Sequence, residues 1–245
     1  MRLKFGKFEY EPSIRRGEEL RDVLKDPKAL HEDFDAYYMF RDVYRSEEDR
    51  ELARKTGIRF DITIIPPRVI GEEFIKTHGH YHPKINAHTY PELYQVLEGE
   101  AIFLLQLPHP EDKSKIIDVL AIRAKGGDEV LIPPDYGHVT INPSNVTLKL
   151  ANLVARDFSS IYADYKRLRG ACYYLLVSKK WVKNSKYSVI PELRQLSSVH
   201  LEFLAVDEIY DLIQTPQKVS FLREPERCLK LVEALYGVNY EILGY

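Results

Sequence analysis

The chain has 245 residues, 44% of them hydrophobic and 29% charged, a balance that suits a globular protein with a full core and excludes a disordered one. Its formal charge of -2 argues against a nucleic-acid partner, which requires a basic face. No apolar run approaches the roughly 20 residues of a membrane span, and the terminus MRLKFGKFEYEP lacks the apolar stretch of a signal peptide, so a cytoplasmic protein with no membrane contact is expected.

Residues 1–55 read as an N-terminal appendage of strands and helices packed on the core; within it, GEELRDVLKDPKALHEDF places Leu20, Val23 and Leu24 at helical spacing. From Ile58 the period becomes two. Ile58, Phe60, Ile62 and Ile64 alternate with Arg59, Asp61 and Thr63 until Pro66 and Pro67 stop the run, which predicts a half-buried strand. Further strands are predicted over Tyr94–Leu97, Glu100–Leu107, Ile116–Ile122, Glu129–Ile132, His138–Asn142, Val146–Val154 and Ala171–Val177, separated by Gly-, Pro- and Asn-bearing turns. Short strands at this spacing imply an all-β sandwich, jelly roll or barrel over residues 56–180. Asp157–Gly170 reads as a turn of helix or a lid. Residues 181–245 form a partly helical C-terminal extension, with helices expected near Val206–Leu212 and over Glu224–Tyr236, the latter started by Pro225 and stopped by Gly237. Cys172 and Cys228 share no ligand spacing and are expected to be buried thiols.

The segment KTHGHYHPKINAHTYPELYQVLEGEA holds four of the eight histidines, His78, His80, His82 and His88. In an extended chain, residues two apart share a face, so His80 and His82 can offer both imidazoles to one metal; His78 shares that register unless Gly79 breaks it. Glu92 follows on a strand that enters the Gly99 turn. Farther on, Gly127, Pro133, His138 and Asn142 mark a glycine turn, a strand, a proline turn and a returning strand, which would bring His138 back towards the first histidines.

With RFDITIIPP, the run Lys76–Pro83, YPELYQVLEGEA and IPPDYGHVTIN, the chain resembles the cupins, and within them the cupin-type glucose-6-phosphate isomerases of archaea, over Tyr37–Gly170. The resemblance implies a jelly-roll barrel whose metal ligands are His80, His82, Glu92 and His138, with His78 outside the set. Three imidazoles and a carboxylate suit one divalent transition metal, iron, manganese, nickel, cobalt or zinc. Nine residues separate His82 from Glu92, more than in the shortest family members, and the loop from Pro83 to Pro91 is expected to absorb them.

The implied reaction is the interconversion of glucose 6-phosphate and fructose 6-phosphate, a step shared by glycolysis and gluconeogenesis. Hydrogen moves between C2 and C1, either as a proton shuttled by a carboxylate, for which Glu92 is the candidate, or as a hydride. The resemblance assigns substrate contacts to Tyr37, Thr63, Thr77, Gly79, Tyr94 and Tyr162, and implies a homodimer. Lys76 would add positive charge only if turned inward, its plainer reading being a solvated face. Val154 stands where some relatives carry a further phosphate-side tyrosine. Asp135 reads as a turn residue, Asn142 as support for the His138 strand, and Arg68 as an exposed loop residue. Two other functions use the same residues: a metal-dependent cupin dioxygenase, which would consume oxygen, and a non-catalytic sugar-phosphate-binding cupin, which would bind without turnover.

Overall fold

The structure is a computed structural model that describes residues 1–157, 159–198 and 200–243; positions 158, 199, 244 and 245, in the Asp157–Gly170 segment and the C-terminal extension, lie outside the described residues. Two sheets form the body. The larger is built from β1 (Ser13–Arg16), β2 (Asp35–Phe40), β3 (Ile58–Ile65), β4 (Glu92–Glu98), β7 (Glu129–Ile132) and β9 (Leu148–Ala155), in the order β7-β4-β9-β3-β2-β1. The smaller contains β5 (Glu100–Pro108), β6 (Ile116–Lys125), β8 (Gly137–Ile141) and β10 (Arg194–Ser197), in the order β8-β5-β6-β10. All pairings in both sheets are antiparallel except β6 with β10. This is the all-β jelly-roll architecture expected from the sequence, and β7 matches its predicted limits.

Both flanking segments add strands to this body. β2 extends the larger sheet beyond β3 in the register Met39↔Thr63, and β10 extends the smaller one beside β6. Helix α1 (Glu47–Thr56) connects β2 to β3; Ser46 Oγ caps it by accepting from Asp49 N at 3.2 Å, acids fill its first turn, and Gly57 stops it at φ 69°. Leu20 and Val23 are buried as their spacing implied, but in a short 3₁₀ helix, Glu18–Val23.

The strand β3 corrects the sequence reading in one respect. It is covered on both faces rather than half-buried: Asp61 and Thr63 are buried along with Phe60 and Ile62. The polar set faces the cleft between the sheets. The apolar set faces outward and is covered in turn, since Phe60 packs against Phe5 of an N-terminal hairpin (ring centroids 5.8 Å apart) and against Tyr210 of the C-terminal extension (4.9 Å).

That extension is mostly 3₁₀ turns. Val206–Leu212 was expected as a helix but is a 3₁₀ turn at Ile209–Ile213, closed by i→i+3 bonds such as Thr215 N to Leu212 O at 3.1 Å. Pro216 explains the stop, because a following proline disfavours helical backbone at Thr215. The helix expected over Glu224–Tyr236 begins as a 3₁₀ turn, Pro225–Cys228, and becomes α only at Leu229–Tyr236, before Gly237. Polar contacts fix the extension to the outer sheet face: Gln95 Nε2 donates to Asp207 O (2.8 Å), Gln95 Oε1 accepts from Ile209 N (3.1 Å), and Tyr236 OH donates to Leu131 O (2.9 Å). The predicted strand over Ala171–Val177 narrows to Tyr173–Leu175, and Asp157–Gly170 contains a short helix, Ala163–Arg167. Cys172 and Cys228 are buried free thiols. No helix among the described residues is long and apolar enough to cross a membrane.

Candidate metal and sugar-phosphate site

The histidine strip runs in extended form beside β8. His80 and His138 exchange both backbone hydrogen bonds (3.2 and 3.1 Å), Thr77 N donates to Thr140 O (2.8 Å), and Asn142 N donates to Ile75 O (3.0 Å). Gly79 permits the path, with φ at +81° and space so tight that a Cβ would lie 2.6 Å from Tyr165 and from Val139. Glu92 enters from the opposite sheet at the start of β4.

One ligand atom from each of His80, His82, Glu92 and His138 falls within 4.8 Å of all the others. His80 Nε2 and His82 Nε2 are 3.2 Å apart, and Glu92 Oε2 lies 3.3 Å from His82 Nε2 and 3.5 Å from His138 Nε2. His82 Nδ1 donates to the carbonyl of Tyr90 at 2.6 Å, so its Nε2 turns a lone pair towards the cluster. Glu92 Oε1 accepts from Asn152 Nδ2 at 2.7 Å, whereas Glu92 Oε2 is buried without a hydrogen bond among the described residues.

Converging lone pairs and a carboxylate oxygen repel one another unless a cation lies among them. Ligand bonds of about 2.1 Å put adjacent donors roughly 3 Å apart, close to the separations observed. The protonation states agree with this fit. Burial, then the neighbouring His138 and His82, holds His80 well below the usual imidazole range, and burial pushes His138 down to about 4, so both are neutral donors. Burial acts to raise the Glu92 carboxyl, but His82, His138 and Arg41 outweigh it and leave the group below its ordinary value. These residues could therefore hold one divalent metal through three nitrogens and one oxygen. His78 stands apart: its Nδ1 donates to Gly79 O at 3.1 Å, and its ring meets Tyr162 edge-on at 5.2 Å.

A cleft with about 520 Å³ of atom-free space, counting its open mouth, adjoins the cluster. Tyr37, Thr63, Thr77, Gly79, Tyr94 and Tyr162 all line it, together with His80, Glu92 and His138, while His82 sits behind. Tyr37 OH accepts from His78 N at 3.1 Å, and Tyr94 OH lies 3.4 Å from His138 Nε2. Lys76 is neither solvated nor in the cleft. It is buried in an ion pair with Glu73, under the Tyr174 ring at 4.8 Å. Asp135 does hold a turn, at φ 67°, and also secures the long loop before Glu92 by accepting from Thr89 N (3.0 Å) and His88 Nδ1 (2.6 Å). Asn142 braces its strand through bonds to Ile65 O (3.0 Å) and Val146 O (2.8 Å), and Arg68 is exposed above the Phe34 ring at 3.9 Å.

Arg41, Arg59 and Asn152 were missed in the sequence. Arg41 and Arg59 line the cleft, and Asn152 holds Glu92. The signal for Arg41 was the period-two series Tyr37, Met39, Arg41, all three of which line the cleft. For Arg59 it was the Arg59, Asp61, Thr63 alternation, of which only Thr63 was assigned to the site.

The family model described as glucose-6-phosphate isomerase matches residues 14–192. The chain belongs to this family. Among curated relatives, the glucose-6-phosphate isomerase of Thermococcus gammatolerans is 28% identical over 157 residues, 62% of this chain and 74% of that protein. That of Thermococcus litoralis is 31% identical over 133 residues, 53% and 62% of the two chains. That of Pyrococcus abyssi is 33% identical over 101 residues, 41% and 47%. Among solved structures, a recombinant oxalate oxidase in complex with glycolate aligns with a TM-score of 0.38 and 13% identity over 52% of this chain and 55% of that one. A likeness that remote does not bear on function. The family match includes every residue of the cluster and of the cleft, and ends before the C-terminal 3₁₀ turns.

Proposed function

We propose that this member of the family interconverts glucose 6-phosphate and fructose 6-phosphate, with one divalent transition metal held by His80, His82, Glu92 and His138. The observation that carries the proposal is the buried Glu92 Oε2, without a hydrogen bond among the described residues, facing imidazole nitrogens at the edge of a cleft lined with hydroxyl and backbone donors. A bound cation would supply Lewis-acid polarisation of the sugar's carbonyl and neighbouring hydroxyl oxygens.

The chain's own groups do the rest. Asn152 fixes the plane of the Glu92 carboxylate through Oε1, leaving Oε2 towards the cluster. In this proposal Glu92 carries the proton between C2 and C1 of the sugar as well as serving as a ligand. Burial and the adjacent Glu92 carboxylate keep the Tyr94 phenol protonated, so it can donate to a substrate oxygen. Tyr37 and Tyr162 offer flat faces and hydroxyls to the sugar chain. Thr63, Thr77 and the backbone of Gly79 offer neutral donors to the phosphate. The reading also includes a cytoplasmic homodimer, for which sedimentation of the purified protein is the check.

The reaction is tested by incubating the purified, metal-analysed protein with glucose 6-phosphate in deuterated water and following products by NMR, with and without a chelator. Fructose 6-phosphate carrying solvent deuterium, and its loss on chelation, is the expected result. Undiminished turnover in metal-free protein would sink the metal-dependent assignment, and product free of deuterium would count against Glu92 as proton carrier.

A further inference from the structure

Two cations line the cleft, and the functional reading so far gives neither a role. Arg41 and Arg59 both lie against Asp61, which is fully buried on the inner face of β3. Arg41 Nη1 donates to Asp61 Oδ2 at 2.7 Å, Arg59 Nε donates to both carboxylate oxygens at 3.0 Å, and the backbone N of Asp42 completes the set at 2.8 Å. One aspartate thus gathers two guanidinium groups and neutralises only one of them. The side chains remain 40% and 21% exposed, on the open side of the cleft.

The sheet register says where that charge falls. Across the inner face, Arg59 is opposite Val154, which is opposite Glu92; in the next row Asp61 is opposite Asn152 and then Tyr94. Thr63, one of the neutral donors proposed for the phosphate, follows Asp61 on the same face of β3, about 7 Å along the strand. The arginines therefore continue the donor wall begun by Thr63, and Val154 supplies no hydrogen bond between them and Glu92.

A phosphate monoester near neutral pH carries nearly two negative charges. Neutral hydroxyls and one backbone N–H do not balance that charge in a partly desolvated cleft. A guanidinium presents five N–H donors in a planar fork suited to phosphate oxygens. Arg59 spends its Nε on Asp61, and its two Nη groups have no hydrogen bond among the described residues.

We infer that Arg41 and Arg59, held side by side by Asp61, form the anion-binding wall of the cleft and take the phosphate of the substrate. The inference rests on the cleft being a sugar-phosphate site. Asp61 is then a positioning residue, aligning the two cations so that the two Nη groups of Arg59 and the part of the Arg41 guanidinium not bonded to Asp61 remain available to an anion. Ion pairing alone does not account for the trio, because a buried charge cluster contributes little stability over apolar residues of similar size.

The test uses the metal-loaded full chain and the variants Arg59→Ala, Arg41→Ala, Arg59→Lys and Arg41→Lys. KM and kcat for glucose 6-phosphate, inhibition by inorganic phosphate, metal content and melting temperature are measured for each. Losing a charged hydrogen-bonding partner should raise KM and the phosphate inhibition constant about tenfold or more in each alanine variant, with metal content unchanged. The lysine variants keep a charge beside Asp61 but lose the fork. They should fold as the wild type does and show a smaller rise in both constants, so they carry the test if an alanine variant does not fold. Unchanged KM and unchanged phosphate inhibition in the folded variants would overturn the inference. Calorimetric titration with inorganic phosphate separates it from the isomerase reading: phosphate binding that weakens in the arginine variants supports the anion wall even if the wild type does not turn over glucose 6-phosphate.

Discussion

On its inner face the larger sheet carries Glu92, Tyr94, Asn152, Asp61 and Thr63, whereas on its outer face Leu93, Gln95, Phe60 and Ile62 lie under the N-terminal hairpin and the C-terminal 3₁₀ turns. Both faces are buried, yet they are buried by different means. The inner face pairs Asp61 with the two arginines and Glu92 Oε1 with Asn152, and leaves Glu92 Oε2 without a hydrogen bond among the described residues. The outer face excludes water with apolar side chains and ties its few polar groups to backbone. Chemistry and stability are thus divided between two sides of the same strands, and substitutions on the two sides should fail in different ways.

The sharpest separation comes from His138→Ala. It should remove the bound metal and lower turnover by at least about a thousandfold, since metal-assisted charge stabilisation contributes several kcal/mol, while the melting temperature stays near that of the metal-free wild type. Metal analysis and steady-state assay decide it. A collapse of the fold would mean that the inner face also holds the structure together.

Leu212→Ala makes the converse change in the buried Ile209–Ile213 turn. It should cost about 2–5 kcal/mol of unfolding free energy in denaturant titration, through lost burial and a cavity, with one metal per chain retained. Loss of metal at unchanged stability would erase the distinction between the faces.

Asn152→Ala is intermediate, because it removes the bond that orients Glu92 without touching a ligand. A ten- to hundredfold loss of metal affinity, read by competition with a chelator, is expected. The smallest effect belongs to a position away from both faces: Ser46→Ala deletes the cap of α1 and should cost about 1 kcal/mol, with no change in KM or metal content.

The same division explains what the sequence disclosed. His80 and His82 could be read because extended backbone puts alternate residues on one face, and Glu92 and His138 because turn residues bracket their strands. In β3, alternation was visible but its direction was not. A period of two states that two faces differ, and here the polar face is the one turned inward, since a cleft lies there and the tail covers the apolar side. Arg59 and Asp61 were left out of the site for that reason. Arg41 escaped because β2 lies in a charged stretch that reads as helical, although Tyr37, Met39 and Arg41 keep strand spacing. Helix α1 had the clearest unused signal, a serine cap, three acids and a glycine stop. In the C-terminal extension, apolar spacing pointed to α-helices, but prolines at 216 and 225 cut the runs into 3₁₀ turns.

The central claim, that catalysis depends on one metal held by His80, His82, Glu92 and His138, is tested most directly by reconstitution. Metal-free wild-type protein is titrated with a divalent transition metal while bound metal and isomerase activity are followed together. The account predicts no activity at the start and a rise that levels off at one metal per chain, with no such rise in His138→Ala. Full activity before any metal is added, or an equal rise in His138→Ala, would contradict it.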